Sequence, residues 1–158
     1  MKQPFPVLGA IFLIAIATIL QAGIFDRYLF FGAQLNLPVV TLLTFALISR
    51  PSAAGGLGML SGIISGGLSG ATLMHYCLSR VLAGYLVGTQ SKNEPEMWTA
   101  VFWVVGGSLI SQAVLILLAP PNPLLPAVGA TILSAVYNGV VAIPMFALVA
   151  RLFRPRVV

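Results

Sequence analysis

Polar residues in this chain come in short clusters, and long apolar runs separate them. Residues 7–24 are apolar apart from Thr18 and Gln21. That run is close to the ~20 residues needed to cross a hydrocarbon core of about 30 Å, and it predicts a first membrane helix. A secretory signal is the competing pattern, but cleavage after Ala22 would put Leu20 where a small residue is wanted, and no lipobox cysteine follows. Gln21 is expected at the interface or bonded to a neighbour. Asp26-Arg27-Tyr28 is the first polar break, and residues 29–33 are expected to lie along the interface with aromatic anchors. Asn36-Leu37-Pro38 opens a short second helix over 35–49, with proline in the first turn where its missing N–H costs little. Neighbours are expected to cover its ends. Arg50-Pro51-Ser52 is a tight turn before helices over 53–70 and 72–88. Thr89 to Glu96 is the most polar stretch and predicts a loop. A fifth helix is expected over 97–119, with Trp98 and Trp103 near its interface end. A rigid Pro120-Pro121-Asn122-Pro123 turn follows. A sixth helix is expected over 124–150, where Pro144 predicts a kink.

The third segment has the most regular spacing. Ala54, Gly58, Gly62, Gly66 and Gly70 fall at four-residue intervals, and Ser61, Ser65 and Ser69 each precede one of these glycines. At about 100° per residue these small side chains share one broad face, opposite Leu57, Leu60, Ile63, Ile64 and Leu68. In water each glycine would cost a helix roughly 1 kcal/mol relative to alanine. In a bilayer the backbone must bond internally, so the helix forms anyway. Its small face then admits a second helix at backbone distance. This segment is expected to be the central packing helix, its face used within the fold or shared with a partner protein.

Composition turns this pattern into a class. The chain has 158 residues, 59% hydrophobic and 7% charged, whereas a soluble domain carries about 25% charged residues. The expectation is an all-α integral membrane protein, residues 1–158 forming a single transmembrane domain of six helices in one bundle. A formal charge of +5 without a basic patch interleaved with aromatics gives no nucleic-acid signal. The cations set topology instead. With six spans Lys2, Arg50, Lys92, Arg151, Arg154 and Arg156 share one side, only Arg27 lies opposite, and Arg80 falls within a span. The positive-inside rule then puts both termini in the cytoplasm. No internal repeat and no pair of interrupted helices of the transporter kind is evident.

Candidate chemistry is sparse. The three acids, Asp26, Glu94 and Glu96, are all in loops, and there is one histidine and one cysteine. No metalloprotease helix, CxxC pair, nucleophile elbow or phosphate loop is present. His75 and Cys77 are too few ligands for a metal site. The reading is therefore non-enzymatic, with no catalytic residue, metal or cofactor. Cys77 reads as a small core residue and His75 as an interface or hydrogen-bonded histidine. Ser108, Ser111 and Gln112 form a polar stripe on the fifth helix, and Thr131, Ser134 and Asn138 line one face of the sixth. Arg80 demands an explanation, because a mid-span arginine costs about 2.5–3.5 kcal/mol on insertion scales and no span holds an acid. It can snorkel, or bond carbonyls and the serine and asparagine side chains of helices five and six. Alternatively it meets an acid on a partner, an anionic ligand or a lipid head group.

From Asn36 to Gly88 the chain resembles the rod shape-determining protein MreD family. The resemblance is carried by Asn36-Leu37-Pro38, the Arg50-Pro51 turn, the glycine-spaced run, Ser69-Gly70 and the Gly84-Tyr85-Leu86-Val87-Gly88 ending. Family members often carry an aspartate at the position held here by Gly66. The resemblance implies a non-enzymatic subunit of the cell-elongation machinery in the bacterial inner membrane. It would bind an MreC-type membrane scaffold and support the peptidoglycan synthases of the lateral wall. Gly58, Gly62, Gly66, Gly70 and Arg80 are then the candidate helix-packing and partner-interface residues. The family's fold is similar to the six-helix substrate-binding subunits of energy-coupling-factor vitamin transporters. That similarity supplies the alternative expectation of a substrate-capture subunit.

Overall fold

The computed structural model describes residues 7–27, 32–70, 72–91 and 96–153. It is all-helical, with no strand among the described residues: α1 (Val7–Gly23), a 3-10 turn (Phe25–Arg27), α2 (Leu37–Ala46), α3 (Pro51–Ser69), α4 (Leu73–Gly88), α5 (Met97–Leu118) and α6 (Leu124–Phe153). The segments Val7–Arg27, Met97–Leu118 and Leu124–Phe153 are each long and apolar enough to cross a membrane. α2 and α4 are shorter, and glycine and serine dilute the hydropathy of α3. Large apolar side chains cover the outside, Leu125 being 84% and Leu117 79% exposed. A soluble protein does not present a coat of that extent, whereas a lipid-facing surface does. The expected interface residues 29–31, the loop residues 92–95 and the arginines at 154 and 156 lie outside the described residues.

Every residue of α2 from Leu37 to Ala46 is buried, and α2 packs against each of the other five α-helices. This corrects the expectation that the glycine helix is central. α2 is apolar on all sides, which is the pattern of an enclosed helix. Its polar side chains bond within the segment: Thr41 donates to the Leu37 carbonyl (2.9 Å), Thr44 to that of Thr41 (2.8 Å) and Ser49 to that of Phe45 (2.8 Å). The Asn36 side chain caps it, accepting from the Val39 N–H, and Pro38 stands in the first turn as expected. The helix ends at Ala46, short of the expected 49, and single-turn hydrogen bonds carry the chain on to Ser49.

α3 and α4 form a hairpin at backbone contact, and the glycine face is spent inside it. A Cβ at Gly62 would lie 2.5 Å from the Cys77 Cα, and one at Gly58 would collide with the Arg80 carbonyl. From the other side, a Cβ at Gly84 would come 2.7 Å from the Ala54 carbonyl oxygen, and one at Gly88 would come 2.8 Å from the Ala54 Cβ. Of the two uses left open for this face, the structure occupies it within the fold. Gly70 departs from the expected stripe. It is exposed and caps α3 in a left-handed conformation with φ +65°, so it ends the helix rather than packing it. Leu57, expected among the outward residues, is buried beside Ile14, Leu42 and Phe45. Cys77 is only half-buried. α6 continues through Pro144 to Phe153.

A buried arginine beneath a cavity of mixed lining

The ends of the helices opposite the Arg50-Pro51 turn do not close on one another. They surround a cavity of about 1030 Å³, lined from every α-helix by residues that include Gln21, Asn36, Ser65, Arg80, Gln112 and Ser134. The two polar stripes expected on α5 and α6 meet here. Asn138 is 1% exposed, and its Nδ2 donates to the Ser108 Oγ at 3.1 Å. Its Oδ1 accepts the backbone N–H of Asn36 at 2.9 Å. The Ser134 hydroxyl donates to the Gln34 carbonyl at 2.6 Å. Gln21 bonds a neighbour, as expected: its Oε1 accepts the Leu37 N–H (3.0 Å) and its Nε2 donates to Asp26 Oδ1 (2.7 Å). The polar side chains thus do one identifiable job. They satisfy the non-helical backbone of residues 34–36, which is tolerable at membrane depth only when buried in protein or facing a cavity.

Arg80 lies at the inner end of this space. Its side chain is 2% exposed, and its Nη1 donates to the Ser61 carbonyl (3.2 Å), the Ser61 Oγ (2.5 Å) and the Ser65 Oγ (2.7 Å). The guanidinium stands 5.6 Å from the centre of the Tyr76 ring, one turn earlier on α4, within cation–π range. The expectation that Arg80 bonds serines and a carbonyl is met, but on the wrong element: its partners are on α3, not α5 or α6. The serine-before-glycine repeat was the available signal. On an antiparallel hairpin in register at Gly58 and Arg80, Ser61 and Ser65 lie one and two turns further toward the cavity. A helical side chain points back toward its own N-terminus, and for α4 that is the cavity direction. Arg80 therefore leans outward by about 5–10 Å of helix length at 1.5 Å per residue. His75 and Tyr76 also line the cavity, and His75 is half-buried.

Of the predicted site residues, the structure joins Gly58 directly to Arg80 and places Gly62 and Gly66 on the same hairpin seam. Gly70 lines the cavity from the α3 terminus. Among the described residues no three His, Cys, Asp or Glu side chains come together as metal ligands. Fold and surface define the class as an all-helical membrane protein with a cavity of mixed polar and apolar lining at one end. Comparison with known proteins adds no relative: no family model, curated protein or solved structure matches the chain.

Proposed function

We propose that the chain is a non-enzymatic, six-span subunit of the bacterial cell-elongation machinery, acting with an MreC-type scaffold protein and supporting lateral peptidoglycan synthesis. One observation supports this reading above the others. Of the residues that carry the resemblance to the rod shape-determining MreD family, Gly58, Gly62, Gly84 and Gly88 fall at the backbone-close approach of α3 and α4. Asn36 caps α2, Pro51 opens α3, Gly58 and Gly62 meet α4, and Gly84 and Gly88 meet Ala54 and Pro51. In this reading α2 and α4, about 15 and 24 Å long at 1.5 Å per residue, cross as short spans, α2 enclosed by the other five helices. Six spans place both termini with Arg50 and Arg151 on the cytoplasmic side of the inner membrane, and the cavity opens on the outer side.

The cavity itself favours a second reading, a substrate-capture subunit of a vitamin-type transporter. Against it, the connections from α3 to α4 and from α5 to α6 at the cavity end are short, which leaves little chain to close over a captured substrate. The readings separate in one experiment. Affinity purification of the full chain from its native membrane, with identification of co-purifying proteins, is expected to recover the bitopic scaffold, and depletion of the protein is expected to round the cells. Recovery of an ATPase pair instead, with normal cell shape and lost uptake of a vitamin, would overturn the first reading in favour of the second.

A further inference from the structure

We propose that the cavity above Arg80 binds a phosphate-type oxyanion, from a lipid head group or from the aqueous phase. The first support is an incomplete set of partners. An arginine carries five N–H donors in a planar fork. All the hydrogen bonds that Arg80 makes to described residues leave from Nη1. Nη2 and Nε thus retain three N–H donors with no acceptor among those residues, and no carboxylate among them pairs with the guanidinium. A buried cation without an anion is the costly case, whereas one completed by an oxyanion regains charge-assisted, bidentate hydrogen bonds.

The second support is position. Arg80 lines the cavity, and its guanidinium reaches the level of Ser65, one turn before the end of α3 at Ser69. That places the charge about 6 Å below the helix end at 1.5 Å per residue, at a depth a head-group phosphate can reach. The walls are mixed. Leu68, Leu115 and Ile116 offer apolar contact and Gln112 and Thr131 offer polar groups. Asp26 also lines the cavity, but it is exposed and its carboxylate holds the Gln21 amide, so it stands at the rim rather than against Arg80. The site is independent of any partner protein, and its failure would leave the proposed place in the elongation machinery untouched.

The test uses the purified full chain in detergent, stripped of lipid. Native mass spectrometry and thermal unfolding follow titration with phosphatidylglycerol, with phosphate-free diacylglycerol of the same acyl chains and with inorganic phosphate. The wild type is expected to retain one phosphatidylglycerol, to prefer it at least tenfold over diacylglycerol, and to melt at a higher temperature with it. A rise in melting temperature with inorganic phosphate alone would assign the free anion as a source, and its absence would assign the lipid. Arg80→Leu is expected to lose the preference for the anion. Ala130→Phe, which fills the cavity from α6 and leaves Arg80 in place, is expected to reduce binding at least tenfold and carries the test if Arg80→Leu does not fold. The proposal is overturned if the wild type binds neither probe, binds both lipids alike, or is matched in binding by either folded variant.

Discussion

The seam between α3 and α4 makes a sharp prediction because backbone, not side chains, lines it. A methyl group added at Gly62 would sit 2.5 Å from the Cys77 Cα, 2.7 Å from the Cys77 nitrogen and 2.9 Å from the Tyr76 carbonyl carbon. Ordinary contact begins near 3.4 Å, so Gly62→Ala must part the helices by about 1 Å, and no rotamer change can relieve it. Overpacking of this kind costs about 1–3 kcal/mol. The same displacement stretches the bonds from Arg80 to Ser61 and Ser65, now 2.5 and 2.7 Å, to the limit of hydrogen bonding. Loss of one bond to a charged group adds about 1.5–3 kcal/mol, and alanine returns about 1 kcal/mol of helix propensity. The expected net destabilisation is about 2–4 kcal/mol, or a fall in melting temperature on the order of 10 °C for a chain of this size.

The assay is thermal unfolding of the purified protein in one detergent, with two other glycines of α3 as internal standards. A Cβ at Gly67 would meet nothing within 4 Å, and one at Gly55 only Tyr85 and Val81 side chains at 3.8 Å or more. Gly67→Ala should be neutral or mildly stabilising, and Gly55→Ala close to wild type. Gly62→Leu should be worse than Gly62→Ala. If Gly62→Ala melts with Gly67→Ala, the backbone-close seam does not exist and the reasoning fails.

Three further outcomes are expected. Asn138→Leu removes the acceptor of the Asn36 N–H and the donor to Ser108; it should lower stability by about 1–2 kcal/mol, read by the same melts, and an unchanged midpoint would mean that water replaces both bonds. Reporter fusions at Val158 and within residues 89–96 should both report cytoplasm, and a periplasmic signal from either would refute the six-span topology. Arg80→Leu exchanges the bonds to Ser61 and Ser65 for relief of an insertion cost of about 2.5–3.5 kcal/mol, so its stability should stay within about 1–2 kcal/mol of wild type. If Arg80 also serves the scaffold, Arg80→Leu should weaken co-purification at that near-normal stability and Arg80→Lys should restore it only in part, because an ammonium lacks the planar fork. Lost stability with intact co-purification would remove Arg80 from the scaffold interface.

Where one physical term dominates, the chain is legible residue by residue. Four-residue spacing of Gly58, Gly62 and Gly66 dictates a close approach, and the structure places α4 there. The polar stripes of α5 and α6 were readable because a buried polar group must find a partner, and Asn138 finds Ser108 and the Asn36 backbone. The centre of the bundle was harder to read. Spacing marks which face of α3 packs, but not how many neighbours surround the helix. The cue to α2 was its lack of a polar face, which over ten residues is also the signature of a segment too short to classify. Gly70 was misplaced because its interval continues the stripe, whereas a glycine just past a helix end can instead terminate it.

Arg80 shows why pairing across a hairpin is the least readable level. Its insertion cost follows from the sequence alone, but its partners depend on the antiparallel register, which the backbone collision at Gly58 sets. Once that register is known, the remaining steps are forced. The side chain must lean toward the start of α4, the two serines that precede Gly62 and Gly66 are the groups within reach, and Nη1 takes both. What is left over is the other half of the fork, in a cavity lined by all six helices. A change that only tightened the hairpin would be served as well by a neutral donor in place of Arg80. Such a replacement is Arg80→Gln, which can donate to Ser61 or Ser65 but supplies no charge. It should therefore melt no lower than Arg80→Leu while abolishing the preference for a phosphate-bearing over a phosphate-free lipid. A glutamine variant that kept that preference would show that the charge of Arg80 is not what the cavity uses.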